Sequence, residues 1–219
     1  MDTPGQRRAL ALAGALGLAE TPIAFGGNPW RAVQGEAKLE IWPDSGGRWR
    51  YQRQPTVNGS EVTDDGKART VARPVLRAAG LDPADARVEN STVRLEPRVE
   101  GHPTWGWETE VQVDRSGVVY ASGWLGPAGE GTERTLLDAA QAFARLQTQA
   151  ARPPTASKAC PAADRPQSPP CPPPRLPSLV TGARFVYALD WGTEGHHPRL
   201  VPAWLFTRED APDPAVFAA

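Results

Sequence analysis

The chain is poor in the residues that usually carry chemistry, with three histidines, two cysteines and a single methionine among 219 residues. So few imidazoles and thiols leave little material for a metal centre or an activated nucleophile. No apolar run approaches the ~20 residues that a membrane-crossing helix requires. Residues 9–19 come nearest, and Gly14 and Gly17 interrupt them. Charge is balanced at −1, so no basic excess advertises nucleic acid or an anionic membrane. Lysine is almost missing: Lys38, Lys67 and Lys158 stand against 21 arginines. With abundant Ala, Gly and Pro, that skew reads as codon pressure in a high-GC genome rather than as a functional signal.

Motifs are equally sparse. The chain holds no G-x-S-x-G elbow, no H-E-x-x-H, no phosphate-binding P-loop and no dinucleotide fingerprint. His196 and His197 are adjacent, so on a strand they face opposite ways and cannot share a metal. Asp190, Glu194 and one of these histidines would meet only if the intervening turn folded back. Residues 194–197 read more simply as that turn, and His102, just before Pro103, reads as a loop-bracing side chain. The glycine-rich loop at 126–131 carries Glu130 where an anion would sit, and it reads as a plain strand-to-helix connection. Glu108 and Glu110 read as a solvated strand face. The sequence therefore predicts no catalytic residue, no cofactor and no metal.

What is present is architectural. A chain of this length buries a substantial core. An alanine- and leucine-rich helix followed by a strand pair recurs three times, with helices predicted at 4–18, 66–81 and 132–149. The strand pairs are 38–42 with 48–53, 109–113 with 118–124, and 184–191 with 200–206. Thr3 and Pro4 suit a helix start, with Leu10, Ala13 and Leu16 as its apolar stripe. Pro74 is expected to kink the second helix. Leu136, Ala140, Phe143 and Leu146 align on the third. Trp105, Trp107, Thr109, Val111 and Val113 read as sharing one face. Eight tryptophans are conspicuous, and core packing is their expected role, with stacking of sugars or bases the alternative. The predicted fold is α+β: an antiparallel sheet of repeated helix-plus-strand-pair units, with the helices on one face. A degenerate first unit covers 1–60, two further units cover 61–208 with a proline-rich insertion at 151–177, and 209–219 is a frayed tail.

The hairpin Val111-Gln112-Val113-Asp114-Arg115-Ser116-Gly117-Val118-Val119-Tyr120-Ala121-Ser122-Gly123 resembles that of PepSY-like modules. The helix after it and the closing Leu200-Val201-Pro202-Ala203-Trp204-Leu205-Phe206 resemble YycH/YycI-type proteins. Similar ectodomains occur on actinobacterial cell-envelope lipoproteins. The resemblance implies a non-enzymatic, extracytoplasmic, envelope-associated module that binds or regulates another envelope protein, such as a sensor kinase or a protease. A leader or lipid anchor is then expected ahead of residue 1. The alternatives are a protease-inhibitor or propeptide-like module, and a secreted hydrolase or carbohydrate-binding protein. In the final strand pair both faces are apolar. Val186, Ala188, Val201, Ala203 and Leu205 form the second face, either covered by other parts of the chain or open as a partner or dimer surface.

Cys160 and Cys171 share one irregular, proline-rich stretch. Their spacing matches neither C-x-x-C nor a zinc knuckle, which favours a disulfide over a redox pair, a metal site or two unpaired thiols. Closing a loop of roughly a dozen residues stabilises by about 2–3 kcal/mol on the loop-entropy account. Protein made in an oxidising compartment should weigh less than its reduced form by one hydrogen per cysteine. Two alkylatable thiols in that protein would refute the pairing.

Overall fold

The computed structural model describes residues 3–19, 23–25, 27–54, 64–125, 137–150, 179–191, 198–209 and 211–218. The protein is α+β, with mostly antiparallel sheets and three helices among the described residues. The chain divides into two compact units, Met1–Thr132 with Tyr187–Val201 and Glu133–Val186 with Pro202–Ala219. The proline-rich stretch with Cys160 and Cys171 lies outside the described residues, as do Glu194, His196 and His197 and the 126–131 loop.

The first unit begins with helix α1 (Pro4–Ala15). Its start is a reciprocal cap: the Gln6 amide donates to Thr3 Oγ1 at 3.2 Å, and the Thr3 amide donates to Gln6 Oε1 at 2.7 Å. Ala9, Leu12, Ala13 and Leu16 are buried. Leu10, expected on the apolar stripe, is 42% exposed, because it stands about 100° round the helix from Ala9. An antiparallel meander follows: β1 (Trp30–Gln34), β2 (Ala37–Trp42) and β3 (Arg48–Arg53). Helix α2 (Asp65–Ala78) starts where the Asp64 carboxylate accepts the Lys67 amide at 3.0 Å. It runs through Pro74, which lies on its exposed side, while Ala68, Ala72, Val75 and Leu76 are buried.

Strands β4 (Arg87–Glu89) and β5 (Thr92–Leu95) come next, then a short hairpin of β6 (Arg98–Val99) and β7 (His102–Trp105). Strands β8 (Thr109–Asp114) and β9 (Gly117–Trp124) form the long hairpin. One antiparallel sheet takes the order β1-β2-β3-β9-β8-β5-β4. Alternate residues face the helices: Leu39, Ile41, Trp49, Tyr51, Val93, Val111 and Ala121 form one buried cluster with the apolar faces of α1 and α2. A bulge at Gln112/Val113 keeps both Val118 and Ala121 on this inner face, three residues apart, opposite Val113 and Val111.

The shared face expected to run from Trp105 to Val113 is broken, with Val111 and Val113 in the helix-side core and Trp107 in a separate cluster. Gly106 adopts φ +81°, and a Cβ there would stand 3.1 Å from the Cβ of Leu189. The break sends β7 out of the seven-stranded sheet. It pairs instead in parallel with the end of β10 (Val180–Asp190), through Tyr187↔Thr104 and Ala188↔Trp105.

The second unit contains helix α3 (Ala139–Ala150), the first part of β10, most of β11 (Arg199–Arg208), and β12 (Ala211–Ala218). The Asp138 carboxylate caps α3 by accepting the Gln141 amide at 2.8 Å. Ala142 and Phe206 are buried together, with Leu137, Phe143, Leu146, Val180 and Trp204 packed round them. Trp204 Nε1 donates to the Leu137 carbonyl at 2.9 Å. Ala140, expected on the apolar stripe, is exposed, and Ala142 takes its place. The residues expected as a frayed tail include β12, which pairs antiparallel with β11 through Trp204↔Phe217 and Phe206↔Ala215.

The turn between β8 and β9 is held by a buried carboxylate. Asp114 Oδ1 accepts the Ser116 amide at 2.7 Å and the Ser116 hydroxyl at 2.6 Å. Arg53 Nη2 donates to Ser116 Oγ at 2.7 Å and lies 3.6 Å from Asp114 Oδ1. Asp114→Ala should therefore lower stability by about 1–3 kcal/mol in urea unfolding, since it strips the turn of these bonds and leaves Arg53 without its counter-charge. An unchanged midpoint would show that solvent replaces the network.

Candidate functional site

The face of the seven-stranded sheet opposite the helices carries the other half of every strand's alternation. Pairing lines up Arg31, Glu40, Arg50, Ser122, Glu110 and Arg94 in one continuous cross-strand row. A second row runs Val33, Lys38, Gln52, Tyr120, Gln112 and Thr92. Neighbouring rungs are about 4.8 Å apart. At the flanks, charges neutralise one another. Glu40 Oε1 receives Arg31 Nε at 3.1 Å and Lys38 Nζ at 2.8 Å, and Arg94 Nε lies 3.7 Å from Glu110 Oε2. Such exposed pairs contribute about 0–1 kcal/mol each, so they shape the field more than they hold the fold.

Strand β3 differs. Arg48 and Arg50, two residues apart on β3, are exposed and have no ion-pair or hydrogen-bond partner among the described residues. Arg50 stands opposite Glu40 on one side and Ser122 on the other. Arg48 stands between Trp42 and Trp124. Trp124 in turn stacks on Trp107, with ring centroids 4.1 Å apart and planes 12° from parallel, and tilts against Trp191 at 5.9 Å. Leu200 completes this second small core, and Val99, Tyr187 and Leu189 pack on it. The glycine turn between β2 and β3 closes against it: a Cβ on Gly46 would stand 2.8 Å from Pro198 Cγ, at a φ of +67° that already favours glycine. The indoles thus pack against one another, with Trp124 at the register position opposite Arg48.

The chemistry this arrangement offers is recognition. Two guanidiniums present forked donors suited to carboxylate or phosphate, and Ser122 stands opposite Arg50 on the neighbouring strand. Tyr187, beside this tryptophan core, donates to Glu100 Oε2 at 2.7 Å. That hydrogen bond, followed by burial, raises the phenol above its ordinary range. Burial does the same to Tyr51 on the helix side, opposed by nearby Arg53.

The residues singled out from sequence fall elsewhere. Asp190 is bonded to Arg199 at 3.3 Å, Glu108 is exposed, and His102 lies with its ring 6.4 Å from that of Tyr187. Among the described residues, no group of three or more His, Cys, Asp or Glu side chains is placed to hold a metal ion. Among them too, no helix is long and apolar enough to cross a membrane. Val186, Ala188, Val201, Ala203 and Leu205 are between 0 and 3% exposed, so the apolar second face of the final strands is covered rather than open. Arg48 and Arg50 were visible in sequence only as the polar half of an alternating strand. The sequence placed 38–42 on one side of their strand, and nothing in it told that β9 would lie on the other.

No family model, curated protein or solved structure matches this chain.

Burial of the Ala203 methyl leaves no room for a charged side chain. Ala203→Arg should cost several kcal/mol in chemical denaturation, as expected for an unpaired charge in a core. A variant that keeps its stability would show that this face yields to solvent.

Proposed function

We propose that this chain is a non-enzymatic, extracytoplasmic ectodomain that binds or regulates another cell-envelope protein, with the open face of its seven-stranded sheet as the contact surface. The observation that carries the reading is the asymmetry of that sheet. One face is sealed by α1 and α2, while the other is largely polar and holds exposed Arg48 and Arg50, unpaired among the described residues, on β3. Exposed arginines without partners are groups that a binding partner can satisfy at little cost in lost internal contacts.

The hairpin from Thr109 to Trp124 supports the resemblance to PepSY-like modules, because its Asp114-Arg115-Ser116-Gly117 segment is the tight turn that the pattern requires. The same reading takes α1 with β2–β3 and α2 with β8–β9 as copies of one helix-plus-strand-pair unit, joined where β3 lies beside β9. The partner is then a sensor kinase or a protease of the envelope. A dimer of this chain remains compatible with the reading, as does a Cys160–Cys171 disulfide formed outside the cytoplasm.

The test is accessibility in intact cells of the native host. Gln52, exposed on the open face, is replaced by cysteine in a chain whose own cysteines are changed to serine. A membrane-impermeant maleimide should label it without lysis. Labelling that requires lysis would overturn the extracytoplasmic reading.

A further inference from the structure

We infer that the open face receives an extended acidic segment of a partner protein, with carboxylates at alternate positions meeting Arg48 and Arg50. The inference rests on the reading of this chain as a binding ectodomain and names the chemistry of what it binds. Three observations carry it.

The first is charge segregation. The whole chain has a net charge of −1. Yet on this face Arg31, Lys38, Arg48, Arg50, Arg87 and Arg94 outnumber Glu40, Glu89 and Glu110. The ligand it complements is therefore anionic.

The second is that the unsatisfied cationic strip is narrow. Glu40 lies one strand from Arg50 and Glu110 lies two strands away on the other side, and each already engages its own flanking cation. A bilayer surface or a nucleic-acid backbone would press phosphates onto both carboxylates within about 10 Å of Arg50. A single peptide strand would not. A chain lying along β3 meets Arg48 and Arg50 and leaves the two glutamates at its sides.

The third is spacing. Arg48 and Arg50 are separated by two residues of strand, about 6.8 Å, which is also the separation of alternate side chains in an extended peptide. Each guanidinium then pairs with one carboxylate. The Ser122 hydroxyl, directly opposite Arg50, supplies a further donor. Trp42 and the buried Trp124 flank Arg48 on the neighbouring strands and bound that end of the strip.

The probe is a peptide of about ten residues alternating threonine and glutamate, compared with a block isomer of the same composition, by fluorescence anisotropy at low salt. The alternating peptide should bind at least about tenfold more tightly than the block isomer. Arg48→Gln with Arg50→Gln should weaken it by about tenfold or more at an unchanged melting midpoint, while Arg87→Gln at the sheet edge should change it by less than about threefold. Should the double variant melt early, Arg50→Lys replaces it. That substitution keeps the charge and loses the fork, and it should still weaken the alternating peptide.

Equal affinity for the two peptides, or no binding of either, would overturn the inference. Tighter binding of heparin or of phosphatidylglycerol vesicles, with the same dependence on Arg48 and Arg50, would overturn it in favour of a polyanion. These measurements use the purified chain and are blind to compartment. Their failure with residue 52 still labelled in intact cells removes only the acidic segment, and the opposite outcome removes only the extracytoplasmic reading.

Discussion

The pairing of β3 with β9 is the contact on which the rest of the first unit depends. It joins a meander built from residues 30–53 to a hairpin built from residues 109–124, across a wide gap in sequence. Its register, Trp49↔Gly123 and Tyr51↔Ala121, decides which side chains of both segments share a face. A slip of one residue would turn Trp49 and Tyr51 outward and bring Arg48 and Arg50 under the helices. The opposition of Trp49 and Gly123 helps to forbid that slip, because a large indole and a residue without a side chain share one rung. A Cβ on Gly123 would overlap the Thr109 side chain on the next strand, so the neighbouring β8 also depends on that position being empty.

From this register the two faces acquire opposite characters. On the helix side, small residues let the layers approach. Ala9 and Ala13 of α1, and Ala68 and Ala72 of α2, are buried together with Trp49, Tyr51 and the valines of β5 and β8. On the other side only the tryptophan cluster at Trp124 covers one end of the sheet, and β3 presents exposed arginine at alternate positions. The same alternation that builds the core therefore exposes the binding surface. Core and site are two consequences of one pairing.

The tryptophans have a related role at the end of that open face. Trp107 leaves the strand path because Gly106 turns the backbone, and this places its ring flat on Trp124. Stacked indoles contribute about 0.5–1.5 kcal/mol beyond their buried area, and Trp191 and Leu200 add to the cluster. In the second unit the aromatic residues again form the core, with Phe143 against Phe206 at 5.5 Å and Phe185 edge-on to Trp204 at 5.9 Å.

Local chemistry is what the sequence by itself determined. Thr3 and Gln6 specify a helix start, Asp114, Ser116 and Gly117 specify a turn, and strict alternation in Arg48–Arg53 specifies a half-buried strand. Each is decided by neighbours within a few residues, where propensity and hydrogen-bonding reach suffice. The starts of α1 and α2, the mixed α+β class and the inward direction of Trp49 and Tyr51 were legible on those grounds. The tertiary structure alone decided that β7 leaves the sheet at Gly106, that residues 211–218 form a strand, and that β3 lies beside β9 rather than at an edge. It also decided that Val186 and Ala203 are covered and that Arg48 and Arg50 stand unpaired between Trp124, Ser122 and Glu40. Those outcomes depend on which distant segments share a rung. A strand's own residues carry its alternation but not the identity of its neighbour, because pairing energy resides in contacts that exist only after the chain has closed on itself.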